Sequence, residues 1–212
     1  MQKGYFITFE GGEGTGKSTQ LALLQETLEQ RGIHVCVTRE PGGTALAEEI
    51  RGVLLKPRSE PVDPTTELLL MFAARAQHLA QRVWPALERG EWVLCDRFTD
   101  ATYAYQHGGR GISKDKIAVL ERVVQADFTP DLTLLFDAPI EISLQRMRDR
   151  GALDRFEQEG IDFMQGVRGA YLARAERDRE RFRVIDATRS VHEVRMAVQE
   201  SLDALIDGWV VH

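Results

Sequence analysis

Gly11-Gly12-Glu13-Gly14-Thr15-Gly16-Lys17-Ser18 fits the phosphate-loop pattern G-x-x-x-x-G-K-[ST] at Gly11, Gly16, Lys17 and Ser18. The apolar, β-prone run Tyr5-Phe6-Ile7-Thr8-Phe9 precedes it, and Leu21, Leu24 and Leu28 follow at helical spacing. Strand, glycine loop and helix, in that order, give the pattern its proper context. Glycines let backbone N–H groups come close to phosphate oxygens, and the start of the helix adds partial positive charge. Lys17 then serves the β- and γ-phosphates, while the Ser18 hydroxyl can hold Mg²⁺. Contact with a nucleoside triphosphate is expected along Gly11, Gly12, Glu13, Gly14, Thr15, Gly16, Lys17, Ser18 and Thr19.

Outward from the loop, short apolar runs at 4–9, 33–38, 91–96, 131–136 and 182–186 read as strands covered on both faces. Helical patterns fall between them at about 17–31, 44–55, 64–88, 99–106, 114–126, 139–149, 161–180 and 190–207. Strands alternating with helices predict an α/β fold: a five-stranded parallel sheet with helices on both faces. Pro85 is expected to kink or end the long helix. The 212 residues suit one domain, 1–212.

Ligands in such folds bind at the carboxyl ends of the strands. After Val37 comes Thr38-Arg39-Glu40-Pro41-Gly42-Gly43-Thr44, whose turn would hold Arg39 at the sheet edge, with Arg51 in the helix beyond. After Cys95 comes Asp96-Arg97-Phe98; an acid there is the usual second anchor for a nucleotide's metal, and the Arg97 fork suits phosphate. Thr102 and Gln106, and Tyr103 and Gln106, are spaced to share a helix face, which fits a base or sugar pocket and a solvated surface equally well. Phe72 and Arg75 are helix neighbours that could stack on and hydrogen-bond a base; the residues alone favour a core Phe72 with a snorkelling Arg75. His78 reads most simply as a surface or interface residue. Arg146, Arg148, Arg150 and Arg155 surround Gly151 and read as a lid at about 146–160, or else as a solvated loop. The Arg-rich stretch from Arg174 to Arg183 alternates with acids and reads as a solvated helix.

Acidic residues outnumber basic ones 33 to 27, a net charge of −6 that offers no basic field for nucleic acid. Cys36 and Cys95 fall in predicted strands without metal-ligand spacing, and no apolar run is long enough to cross a bilayer. Together these predict a soluble cytoplasmic protein with no membrane partner. The chain contains no Asn, which rules out the guanine-reading Asn-Lys-x-Asp of GTPase switches. A compact domain with arginines on the acceptor side fits a kinase for a small phosphorylated acceptor. A kinase for some other small acceptor, or an ATP-binding module without transfer activity, are the alternatives.

Phe9 to Ser18, Arg39-Glu40-Pro41-Gly42-Gly43-Thr44, Asp96-Arg97-Phe98, Tyr103-Ala104-Tyr105-Gln106 and Leu153-Asp154-Arg155 together resemble the bacterial thymidylate kinases, in order along nearly the whole chain. The resemblance implies a phosphate-loop kinase fold that makes dTDP from dTMP and ATP with Mg²⁺, as a homodimer packed through helices. It implies Glu13 near the acceptor 3′-hydroxyl, Phe72 stacked on thymine and Arg75 bonded to it. It also implies Arg39, Arg51 and Arg97 around the acceptor phosphate, with Thr102, Tyr103 and Gln106 along sugar and base. Gly14 and Thr15 leave the loop without a basic residue, so the chain resembles the form that draws arginine from the lid, here Arg148 and Arg150. Lys17 and Arg97 complete the expected catalytic set, and Ser18 and Asp96 the Mg²⁺ set. The family often has Ser where this chain has Ala101; Thr102 could supply that hydroxyl.

Overall fold

Trp92-Val93-Leu94-Cys95-Asp96 forms the strand next to the phosphate-loop strand, and these two fix the frame of the site. The computed structural model describes residues 4–150 and 155–210. Strands β1 (Phe6–Glu10), β2 (Val35–Arg39), β3 (Trp92–Asp96), β4 (Leu132–Asp137) and β5 (Phe182–Asp186) form one parallel sheet in the order β2-β3-β1-β4-β5. Phe9 pairs with Asp96, and Asp96 with Arg39, so β1, β2 and β3 deliver their carboxyl ends to one level. The expected strands stand, with ends shifted by a residue or two.

Successive side chains on these strands face opposite layers. Ile7, Phe9, Leu94 and Leu134 pack with Leu21, Leu24 and Leu28 of α1 (Lys17–Gln30) and with Val198 and Leu202 of α9 (Val191–Val210). On the other side Phe6, Val93 and Cys95 meet Leu79, Val83 and Leu87, while Leu135 meets Val167 and Tyr171 of α8 (Ile161–Arg177). Burial on both sides explains why these runs lack polar alternation. Cys36 and Cys95 are buried free thiols.

The remaining helices are α2 (Ala45–Leu55), α3 (Pro64–His78), α4 (Trp84–Glu88), α5 (Thr99–Thr102), α6 (Lys114–Gln125) and α7 (Ile140–Arg150). Thr44, Asp63 and Ser113 cap α2, α3 and α6 through their side chains. Helix α1 starts differently: its cap is Gly16, with no side-chain cap bond and no acid in the first turn. Its first N–H groups are left for another acceptor.

Pro85 does not end the long helix. Residues Leu79–Val83 form a π turn, in which Trp84 N–H reaches back to Leu79, and α4 continues from it. The wider turn absorbs the proline, which has no N–H of its own to give. A second π turn, Tyr103–Gly109, extends α5.

Candidate active site

Gly11 leaves β1 with φ 132°, where a Cβ would come within 2.3 Å of the Phe136 carbonyl oxygen. Only glycine lets the loop turn this close to β4. Gly14, at φ 69°, and Gly16, at φ 85°, also take positive φ as the loop turns into α1. Lys17 folds back over the loop, its Nζ donating to the Gly12 oxygen at 2.7 Å and the Gly11 oxygen at 3.1 Å. Burial first, then the nearby Arg97 charge, brings the Lys17 ammonium down to about 8.

Arg97 follows β3 in the left-handed region, with φ 70°. A non-glycine residue there is uncommon, and such conformations gather at functional sites. Its Nη1 donates to the Gly11 oxygen at 2.7 Å, and its Nη2 to Glu13 Oε1 at 2.5 Å. The guanidinium lies 4.9 Å from the Tyr105 ring centre. Tyr171 supports it from behind: its hydroxyl accepts from Arg97 Nη1 at 3.2 Å and donates to Glu10 Oε2 at 2.7 Å. Burial and the neighbouring Asp100 charge push the Glu10 carboxyl up, although Phe98 N–H also donates to it.

Beyond Arg97 a cleft of about 550 Å³ opens between α2, α3 and the α5 segment. Glu13, Arg51, Arg75, Arg97, Thr102 and Gln106 all line it. Arg75 is 2% exposed; its Nε donates to Glu40 Oε2 at 2.7 Å and its Nη2 to Thr102 Oγ1 at 2.8 Å. Its Nη1 is buried with no partner. Burial alone would raise the Glu40 carboxyl, but Arg75 and His78 outweigh it and hold it below the usual carboxylate range. Arg51 donates to the Pro41 oxygen at 2.9 Å. A second cavity, of about 570 Å³, shares Glu13, Tyr105 and Phe156 with the first and touches Gly11, Gly12 and Thr15 of the loop.

Several expected positions differ. Phe72 packs into the core with Leu68, Tyr103 and Ile117, and Met71 lines the cleft in its stead. Met71 and Arg75 are four apart and share the face that Phe72 misses. Tyr103 points away: its hydroxyl donates to Glu121 at 2.6 Å, and Arg174 stacks on its ring. Tyr105 is the tyrosine in the cleft, because the π turn breaks the spacing that would align Tyr103 with Gln106. His78 is fully buried, bonded to Glu40 at 2.8 Å and Thr38 at 2.7 Å, and is no surface residue. Arg39 is exposed and paired with Glu48; it borders the opening that contains Ser18 and Asp96, apart from the cleft of Arg97.

The expected lid arginines spread out. Arg146 Nη1 donates to the Ala187 oxygen at 2.9 Å and lies 3.4 Å from the Gly14 oxygen, which sets it against the phosphate loop. Arg155 is tied to Glu67 at 2.6 Å and to the Leu54 oxygen at 2.8 Å. Arg148 is exposed on α7; the Arg150 side chain and residues 151–154 lie outside the described residues. The stretch from Arg174 is not simply solvated, since Arg174 and Arg181 both pair with buried Asp100. Tyr171, Glu10, Met71 and Glu40 were given no role at the sequence level, although Glu10 and Glu40 fall within the quoted motif stretches and Met71 lies a four-residue step from Arg75.

Asp96 Oδ1 is buried without a partner, and Asp96 shares its opening with Ser18. No group of three or more metal-ligating side chains occurs among the described residues. One carboxylate and one hydroxyl fit Mg²⁺, which keeps waters and takes phosphate oxygens for its remaining positions.

Residues 9–198 match the family model described as thymidylate kinase. A thymidylate kinase of Pseudomonas savastanoi pv. phaseolicola is 59% identical over 203 residues, covering 96% of this chain and 95% of its own. One of Pseudomonas fluorescens is 60% identical over 203 residues, with the same coverage of 96% and 95%. The crystal structure of thymidylate kinase from Ehrlichia chaffeensis superposes with a TM-score of 0.77 at 35% identity, covering 94% of this chain and 98% of that one.

Proposed function

The chain belongs to the thymidylate kinase family, and from that premise we propose how its residues share the work. The enzyme transfers the γ-phosphate of ATP to dTMP, giving dTDP and ADP. The observation that carries the assignment of parts is the cleft that meets the phosphate loop at Glu13 and Arg97. ATP phosphates lie along Gly11–Thr19, on N–H groups of the loop and of the uncapped start of α1. Asp96 and Ser18 hold Mg²⁺, which neutralises charge on the phosphates when bound.

The acceptor sits in the cleft with its phosphate toward Arg97 and Arg51 and its base toward Arg75 and Gln106. A phosphate oxygen is already a nucleophile, so alignment and charge neutralisation are the protein's tasks. Lys17 and Arg97 are the catalytic cations: Lys17 is buried and Arg97 partly so, both touch the loop carbonyls, and both can trade those carbonyls for phosphate oxygens. Glu13 and Tyr105, bonded to each other at 3.3 Å, form the wall beside the sugar, and the Tyr105 ring is the group that would exclude a ribose 2′-hydroxyl.

Helices α2, α3 and α6 expose Val53, Leu69, Val119 and Val123, which supports a homodimer packed through them. The buried free thiols fit a reducing cytoplasm.

An ADP-release assay across nucleoside monophosphates, with and without a magnesium chelator, tests this assignment. Turnover should be fastest with dTMP, weak with dUMP and very poor with ribonucleotides, and it should vanish with the chelator. One methyl group accounts for only about 1–3 kcal/mol of the dTMP preference over dUMP. A clear preference for CMP or AMP would overturn the acceptor assignment.

A further inference from the structure

We propose that Glu67, which stands behind the acceptor cleft, is a positioning residue that sets which pyrimidine the enzyme accepts. The proposal rests on the placement of the acceptor base beside Arg75 and Gln106 given above. Glu67 lies on α3, is fully buried and is absent from the cleft lining. Its Oε1 accepts from Gln106 Nε2 at 2.9 Å and from Arg110 Nε at 3.3 Å. Its Oε2 accepts from Arg155 Nη2 at 2.6 Å and from Arg110 Nη2 at 3.4 Å. Two guanidiniums from separate segments thus fix the carboxylate, and Arg110 is itself held by Glu159 at 2.6 Å.

A carboxylate only accepts hydrogen bonds, so the side facing it must be the nitrogen of the Gln106 carboxamide. The carboxamide oxygen, turned away from Glu67, is then the atom left for a ligand. Gln106 and Arg75 line the same cleft, and Arg75 Nη2 is tied to Thr102, four residues before Gln106. Both residues line the cleft, so the carboxamide oxygen of Gln106 and the buried, unpartnered Nη1 of Arg75 are the groups a base there would meet. Thymine presents a ring N–H next to a carbonyl and matches both. Cytosine presents an unprotonated ring nitrogen next to an amino group and opposes both. A carboxamide free to turn over would offer its N–H₂ to the cytosine ring nitrogen and lose its share of the distinction, leaving only Arg75 to oppose the amino group.

Glu67→Gln offers Gln106 either an oxygen or an N–H₂, so it removes the reason for one orientation. The test compares kcat/KM for dTMP and dCMP in the wild type, Gln106→Ala, Glu67→Gln and Glu67→Asp, with thermal melts as a folding control. Glu67→Asp keeps the charge for the arginines but withdraws it from Gln106. The wild type should favour dTMP, and in both Glu67 variants the dTMP-to-dCMP ratio should drop by about tenfold or more, as expected when a polar reader loses its fixed orientation. If the two substrates weaken together and the ratio holds, Glu67 is merely structural and the proposal is wrong. If Glu67→Gln fails to fold, the ratio in Glu67→Asp decides by the same criterion. A wild type indifferent to the two nucleotides, or an unchanged ratio in Gln106→Ala, would instead overturn the placement of the base, and the proposal with it.

Discussion

Lys17 is buried, donates to two loop carbonyls and lies near a guanidinium, and the burial and the guanidinium both act on its proton. Its ammonium is lowered from the ordinary 10.5 to about 8, so the free enzyme loses this charge as pH rises through that value. Phosphate binds the charged form, so kcat/KM for ATP should fall above pH 8 with a single ionisation. Bound triphosphate favours the ammonium, and kcat should hold to higher pH. Steady-state profiles from pH 6.5 to 10 check this; a kcat/KM flat across pH 8 would show that Lys17 is not the charge ATP needs. Lys17, Ser18, Asp96 and Arg97 were legible because each ends a strand or starts a helix inside a recognisable motif. Met71 was not, since steps of three and four residues both place a neighbour beside Arg75, and only packing decides between them. The buried roles of His78, Arg174 and Arg181 were hidden for another reason: their partners Glu40 and Asp100 lie 38, 74 and 81 residues away in sequence.

At the scale of elements, the five strands were readable as short, nearly continuous apolar runs: β1, β3 and β4 are buried on both faces and write no alternation, while the edge strand β5 exposes Arg183 and Val184. The two π turns were not readable, as no local composition distinguishes them from α-helix. One moves Tyr103 out of the cleft and brings Tyr105 in; the other carries the helix past Pro85. Helices α2, α3 and α6 have their buried sides accounted for, yet Leu69 is 52% and Val123 76% exposed. Sedimentation equilibrium should give twice the 24.0 kDa chain mass. Leu69→Glu combined with Val123→Glu should shift the protein to the single-chain mass by burying charge in the pairing face. A wild type that sediments as one chain at micromolar concentration would refute the dimer.

At the scale of the whole molecule, a chain with a net charge of −6 must bring two polyanions together. It does so by confining its useful positive charge to the carboxyl ends of β1 and β3: the loop amides, Lys17 and Arg97 converge where Phe9 and Asp96 pair. Arg51 and Arg75 extend that field into the cleft; Glu40 holds Arg75, Glu67 holds Arg110 and Arg155, and Asp100 holds Arg174 and Arg181. Buried carboxylates of this kind orient guanidiniums without lying in the path of the phosphates. The most direct measurement is a crystal structure with adenosine and thymidine joined through a five-phosphate bridge. Thymine should lie in the cleft against Met71 with Arg75 on its edge, and Arg97 and Lys17 should have exchanged the Gly11 and Gly12 carbonyls for phosphate oxygens. Thymine bound elsewhere, or Arg97 still on Glu13 and Gly11 with the phosphates out of its reach, would contradict the account.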